Sequence, residues 1–172
     1  PPPDRGPMRP RPGPRTVGPR RKRDQRVLDR LGLDGERWAR ATVMDVLLAM
    51  DRQEMLEAVA ALRELLLSVA SGRIVDELVR RSYEATAEDT DEDDRLDALA
   101  AFLHVADASD DFGFDLLGWV SPYPGSEPRP MLLEVKNSGD RGFIVSTAEW
   151  TRSEEQSDRY AFLIVLRSRD GG

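Results

Sequence analysis

The sequence predicts an α/β (α+β) domain, and three observations carry that reading. Apolar residues recur at helical spacing through the first half of the chain, and the period shifts to about two after Ala108. Apolar runs in the last third are then separated by turn-forming and helix-capping residues, as strands are. With 172 residues and 40% hydrophobic content, the chain can build one core of ordinary size but not two full domains.

Residues 1–26 carry nine Lys or Arg and two Asp, together with most of the prolines, and almost no large apolar side chains. Such a stretch buries too little surface to offset the entropy of ordering it, so it reads as a basic tail or linker, or as an arm touching phosphates. The first residue is Pro rather than Met, which suggests a processed product or a fragment of something longer.

A helical segment is expected over 27–71. Val43, Val46, Leu47 and Met50 fall at i, i+3, i+4 and i+7, as do Met55, Ala58, Val59 and Leu62, and Leu65, Leu66 and Val69 continue the stripe. Thr42 and Asp51 are placed to cap the starts of these stretches, and Gly72 to stop them. The remainder, 72–172, is read as the main domain. Two helices open it: one over 73–86 with Ile74, Leu78 and Val79 inward, and one over 92–105 with Leu96, Leu99, Ala100 and Leu103 inward. The acidic run Glu88–Asp94 between them lacks the central Gly of a calcium loop and reads as a solvated loop leading into an acidic helix start. His104, near the end of that helix, reads as a C-terminal cation or a partly buried polar group.

Strands are expected at 112–120, 131–136 and 143–147. A short helix then begins around Ser146, where Ser146-x-x-Glu149 fits a capping box. The continuous apolar run Tyr160–Leu166 completes the set as a strand covered on both faces.

Composition excludes several chemistries. The chain has no Cys and one His, so disulfide scaffolds, thiol nucleophiles and His-rich metal sites are all out of reach. No apolar run approaches the roughly 20 residues that span a bilayer, so no membrane partner is expected and a cytoplasmic protein is. The net charge of −7 conceals an asymmetry: residues after 26 hold 16 basic and 30 acidic side chains. A body that acidic repels a phosphate backbone at long range, so a nucleic-acid contact needs a local basic patch, a bound cation or the tail.

The residues that could carry chemistry lie in the strands. Glu134 and Lys136 are two apart in Met-Leu-Leu-Glu-Val-Lys and therefore project to one face, with Val135 on the other. Charges in so apolar a strand are expensive unless paired or bound to a metal. Asp115 sits in an equally apolar stretch 19 residues before Glu134, and hairpin neighbours would bring the two carboxylates face to face. Such a pair favours a hard divalent cation with oxygen ligands, Mg²⁺ or Mn²⁺, with the Val135 carbonyl as a further ligand. Lys136 could then orient or help deprotonate a water for attack on a phosphate, and the cation and ammonium would stabilise the developing charge. Of 25 basic residues only Lys22 and Lys136 are Lys, so the one inside a hydrophobic strand stands out. The plainer reading of the three is an edge-strand salt bridge with Asp115 capping a turn. Arg129, Arg141 and Arg152 are candidates for a phosphate-facing patch, and Tyr123 for stacking on a base.

These residues carry a resemblance. Gly113-Phe-Asp115, Leu133-Glu-Val-Lys136, the Phe-Ile-Val-Ser-Thr segment, Glu149-Trp150 and Arg159-Tyr160 before an apolar strand resemble the protein NO VEIN C-terminal domain family, a branch of the PD-(D/E)xK restriction-endonuclease-like nucleases. The similarity covers roughly Ala106–Leu166, about a third of the chain. It implies a restriction-endonuclease-like mixed sheet flanked by helices, preceded here by the small helical segment. It also implies Asp115 and Glu134 as metal ligands and Lys136 as the catalytic lysine. Many such nucleases carry a further acidic residue on a helix before the first strand, for which Glu77 and Glu84 are the candidates. The implied function is metal-dependent hydrolysis of phosphodiester bonds, with DNA as the expected substrate. The setting it implies is the C-terminal effector part of a larger restriction or phage-defence protein, alongside an ATPase or helicase-type module or partner. Cutting both strands often needs two active sites and hence a homodimer. The alternative is a catalytically inactive nuclease fold that docks a partner protein or nucleic acid.

Overall fold

A computed structural model describes residues 22–138 and 143–166, with side chains from Asp34 onward. Of the expected tail 1–26, residues 1–21 lie outside the described residues, as does Arg141, and residues 22–26 are instead the first turns of a helix. Among those described, the chain is a mixed α+β domain of five α-helices and a three-stranded sheet, with four helices before the first strand. No helix among the described residues is long and apolar enough to cross a membrane.

Helix α1, Lys22–Leu48, runs through the position where Thr42 was expected to start a helix. The Thr42 hydroxyl instead donates to the Trp38 carbonyl one turn back, at 2.9 Å, so it is satisfied inside the helix. Asp51 does cap α2, Arg52–Val69. Its side chain accepts from the Glu54 N–H while the Glu54 carboxylate accepts from the Asp51 N–H, a complete capping box. Gly72, expected as a stop, has φ of +111° and stands immediately before α3, Arg73–Thr86, where an L side chain would be strained.

The inward face of α3 is Val75, Leu78, Ser82 and Ala85, and Ile74 is exposed. The Val75 register wins because it repeats at i+3 and i+7, where Ile74 has only Leu78 behind it. Helix α4, Glu92–Leu103, starts with Asp91 accepting from the Asp94 N–H, so the acidic run serves as a cap and a first turn favourable to the helix dipole.

Strands β1, Leu116–Val120, β2, Arg129–Ser138, and β3, Tyr160–Leu166, form one sheet in the order β1-β2-β3. Helix α5, Thr147–Glu155, lies between β2 and β3 in sequence. β1 pairs antiparallel with β2, Leu116 opposite Leu133, and β2 pairs parallel with β3, Glu134 beside Phe162. The expected strand at 143–147 is absent. The central strand β2 already has both its edges occupied, Ser146 adopts an extended cap conformation for α5, and Ile144 is 78% exposed. The first strand is also shorter than expected, because Asp110–Phe112 form a 3-10 turn and Gly113 takes a left-handed φ of +72°. Nor is β3 covered on both faces: it is an edge strand with Ile164 and Leu166 exposed.

One continuous apolar core runs from Ala39 and Val43 on α1 through α2, α3 and α4 to Leu116, Leu133 and Val135 in the sheet. Glycines lie at two contacts between helix α1 and the sheet. A Cβ on Gly118 would lie 3.2 Å from the Val43 side chain, and one on Gly35 would overlap the Asn137 side chain. Small residues at these two contacts set α1 directly on β1 and the end of β2.

Candidate functional site

Strand geometry decides which side chains meet. Because Leu116 pairs with Leu133, Asp115 stands opposite Glu134, and the Asp115 N–H donates to the Leu133 carbonyl at 2.9 Å, extending the ladder by one step. Alternation then puts Asp115, Glu134 and Lys136 on one face and Val135 on the other, buried against the core. The Asp115 carboxylate also accepts a hydrogen bond from the Val135 N–H at 2.7 Å, which fixes it at the mouth of the sheet.

Lys136 sits between two carboxylates. Its Nζ lies 2.9 Å from Glu134 Oε1 and 2.8 Å from Glu149 Oε2 on the first turn of α5. Glu149 reaches this point because it is the third residue of α5, and the capping box aims it: its carboxylate accepts from the Ser146 N–H at 2.8 Å while the Ser146 hydroxyl accepts from the Glu149 N–H. A cleft of about 220 Å³ opens over these groups, lined by Asp110, Gly113, Asp115, Glu134, Ser146 and Glu149 among others.

Burial dominates the electrostatics. Glu134 is only 6% exposed, and burial, with the negative charge of Asp115 adding to it, pushes its carboxyl up to about 7 against the opposing pull of Lys136. Burial likewise raises Asp115, although the bond from Val135 works the other way. At Lys136 burial acts to lower the ammonium, and the hydrogen bonds to Glu149 and Glu134 outweigh it, so the group titrates above its ordinary value. Glu149 is raised by burial but held below the usual carboxylate range by Lys136 and by the Ser146 N–H. Lys136 is therefore a fixed cation at neutral pH, and Glu134 is the group nearest its titration point.

A fourth carboxylate, which the sequence did not single out, approaches from α1. Burial raises Glu36, and the next largest cause is the charge of Asp115. Its position follows from Gly35, where α1 touches the end of β2. A glycine followed by an acid inside an apolar-striped helix was the available signal. The two helix candidates are elsewhere: Glu77 and Glu84 are bound to Arg80 and Arg81 on the solvent side of α3, and neither lines the cleft. The sequence offered Glu149 as a capping residue and within the Glu149-Trp150 pair of the resemblance, without a role at the lysine; that role depends on where α5 lands.

Among the described residues, no three His, Asp or Glu side chains converge as a ready-made metal ligand set. The donor types at Asp115 and Glu134 nonetheless suit a hard cation, since both are carboxylates whose charge is disfavoured by burial, with the charge of Asp115 adding to that at Glu134 and the charge of Glu149 to that at Asp115.

His104 caps the end of α4, buried, with Nδ1 2.6 Å from Asp107 Oδ2, and takes no place in the cleft lining. Arg129 donates to the Asp158 carbonyl, while Arg152 pairs with Glu155 and passes Gly113 at the rim of the cleft. Tyr123 is exposed in the β1-β2 connection. Tyr160, buried, donates its hydroxyl to the Gly113 carbonyl at 2.9 Å and so ties β3 to the turn that delivers Asp115.

Comparison with family models, with curated proteins and with solved structures finds no match for this chain.

Proposed function

We propose that this chain is a metal-dependent endonuclease-like domain of the PD-(D/E)xK type, hydrolysing phosphodiester bonds of DNA as part of a larger restriction or phage-defence protein. The observation that carries the reading is the meeting of a buried Glu134 and a half-buried Asp115 at one cleft, with Lys136 bonded to Glu134 beside it. Asp115 and Glu134, with the Val135 carbonyl, would hold Mg²⁺ or Mn²⁺. When bound, such a cation lowers the pKa of a coordinated water and offsets charge on the phosphate oxygens.

The chain's own residues supply the rest. Asp115 is oriented by the Val135 N–H, so one ligand direction is set in advance. Glu134, near 7, changes charge over the neutral range, and deprotonation readies it as a ligand. Lys136, kept cationic by its two carboxylates, is suited to orienting a water and countering charge as it develops rather than to taking a proton. In an acidic body, a cation at this cleft also gives the phosphate backbone a local attraction.

The test is nicking of supercoiled plasmid by the full chain with Mg²⁺ or Mn²⁺. Cleavage that requires the metal and disappears in Glu134→Ala and Lys136→Ala, with the fold intact by circular dichroism, supports the proposal. Calorimetry with Mn²⁺ sharpens it, since binding that Asp115→Asn does not weaken counts against the assigned ligands.

One observation favours the inactive docking module instead: Lys136 satisfies Glu134 and Glu149 by itself. Equal DNA binding by wild type and variants, with no cleavage in either metal, would select that reading.

A further inference from the structure

Lys136 is bonded to two carboxylates that stand in different relations to the proposed metal. Glu134 is on the same strand, and a cation bound to its carboxylate would draw on the charge that now holds Lys136 and so weaken that bond. Glu149 comes from a separate element, and besides its contacts with β2 its carboxylate is held by the α5 capping box. Without a second anchor, an ammonium on four flexible methylenes would lose its place as soon as the first was withdrawn.

We propose that Glu149 is a positioning residue that keeps Lys136 beside the cleft when a divalent cation takes Glu134. The inference rests on the nuclease reading for its purpose, but the tether itself is a property of the chain. Three features support it. The Lys136–Glu149 contact of 2.8 Å is at least as short as that to Glu134. Glu149 Oε2 is itself held by the Ser146 N–H, so the acceptor does not move freely. Both side chains are largely shielded, at 15% and 20% exposed, where an ion pair is screened less than at the surface.

The sequence provides a clean readout, because Lys22 and Lys136 are the only lysines and Lys22 serves as the internal reference. Amine acetylation of the full chain, followed by mass spectrometry, reports how firmly Lys136 is held. Glu149→Gln keeps the capping box, since Gln accepts the Ser146 N–H as Glu does, but removes the charge. In a Glu134→Gln background without metal, which imitates withdrawal of Glu134, the added Glu149→Gln is expected to speed acetylation of Lys136 relative to Lys22 by roughly three- to tenfold, as for loss of a charge-assisted bond. Ser146→Ala, which weakens the cap from its other side, is the control for a merely structural effect and is expected to change the ratio little.

In the otherwise wild-type chain, saturating Mn²⁺ is expected to release Lys136 in Glu149→Gln and not in the wild type. The same substitution should lower kcat for cleavage while leaving Mn²⁺ affinity unchanged. Equal acetylation with and without Glu149 in the Glu134→Gln background overturns the tether, even if the wild type cleaves DNA. A wild type that neither binds Mn²⁺ nor cleaves overturns the nuclease reading, and the metal-free comparison still decides the tether.

Discussion

Two groups of the same residue types, Glu with Lys or Arg, occur in this protein and behave in opposite ways. On α3, Glu77 and Glu84 bridge to Arg80 and Arg81 in the open, and the first of these lies below the usual carboxylate range chiefly through its hydrogen bond from Arg80. At the cleft, Glu134 is bonded to Lys136 just as directly, yet it lies far above that range. The difference is the solvent. Water surrounds the α3 carboxylates and bears most of the cost of their charge, so a neighbouring cation only adds to the balance. At Glu134 the water is gone, and one ammonium shared with Glu149 does not replace it. A charge pair by itself therefore marks nothing; a charge pair under desolvation marks a candidate site.

The comparison can be strained most at Glu134. Its carboxyl titrates near 7 in the folded chain and near its ordinary 4.5 when unfolded, so between these values the folded state holds a proton that the unfolded chain has lost. Stability from this group is complete below the lower value and falls as pH rises toward the upper one, by about 3 kcal/mol for a shift of this size. Glu134→Gln should remove that slope. In urea titrations the variant is expected to match wild type at about pH 4 and to exceed it by roughly 2–3 kcal/mol at about pH 8. A wild type whose stability does not decline between those two pH values would place Glu134 with the α3 carboxylates.

Asp115 gives the next largest effect. Asp115→Ala strands the Val135 N–H without its acceptor and is expected to cost about 1–2 kcal/mol, whereas Asp115→Asn retains an acceptor oxygen and should lie close to wild type. Indistinguishable urea midpoints for the two variants would show that the bond does not hold the site. The smallest effect belongs to α3, where Arg80→Ala removes exposed pairs and should leave the midpoint unchanged within error at either pH.

Much of this was legible from the residues alone. Asp51 and Ser146 cap their helices as the S/T/D-x-x-E pattern requires, because that signal is contained within four residues. The stripes on α1, α2 and α4 point inward as their spacing demands. Glu134 and Lys136 share a face through strand alternation, which needs no knowledge of neighbours. The failures came where a neighbour decided. Phe143–Thr147 has strand-like composition but finds no free edge of β2, and Tyr160–Leu166 has the composition of a covered strand but lies at the rim. Thr42 has the chemistry of a cap but no break in the helix to use it.

The amino-acid order by itself determined most of the helical segments, the Asp51 and Ser146 caps, and the pairing of one acid with one lysine on a strand. Those depend on interactions a few residues long, whose geometry the backbone period imposes. The approach of Asp115 from the start of β1 and of Glu149 from α5 to that pair, and of Glu36 on α1 toward the charge of Asp115, was decided only by the packing of strands and helices. So was the removal of water that shifts Glu134, because desolvation is a property of everything surrounding a group rather than of the residues beside it in the chain.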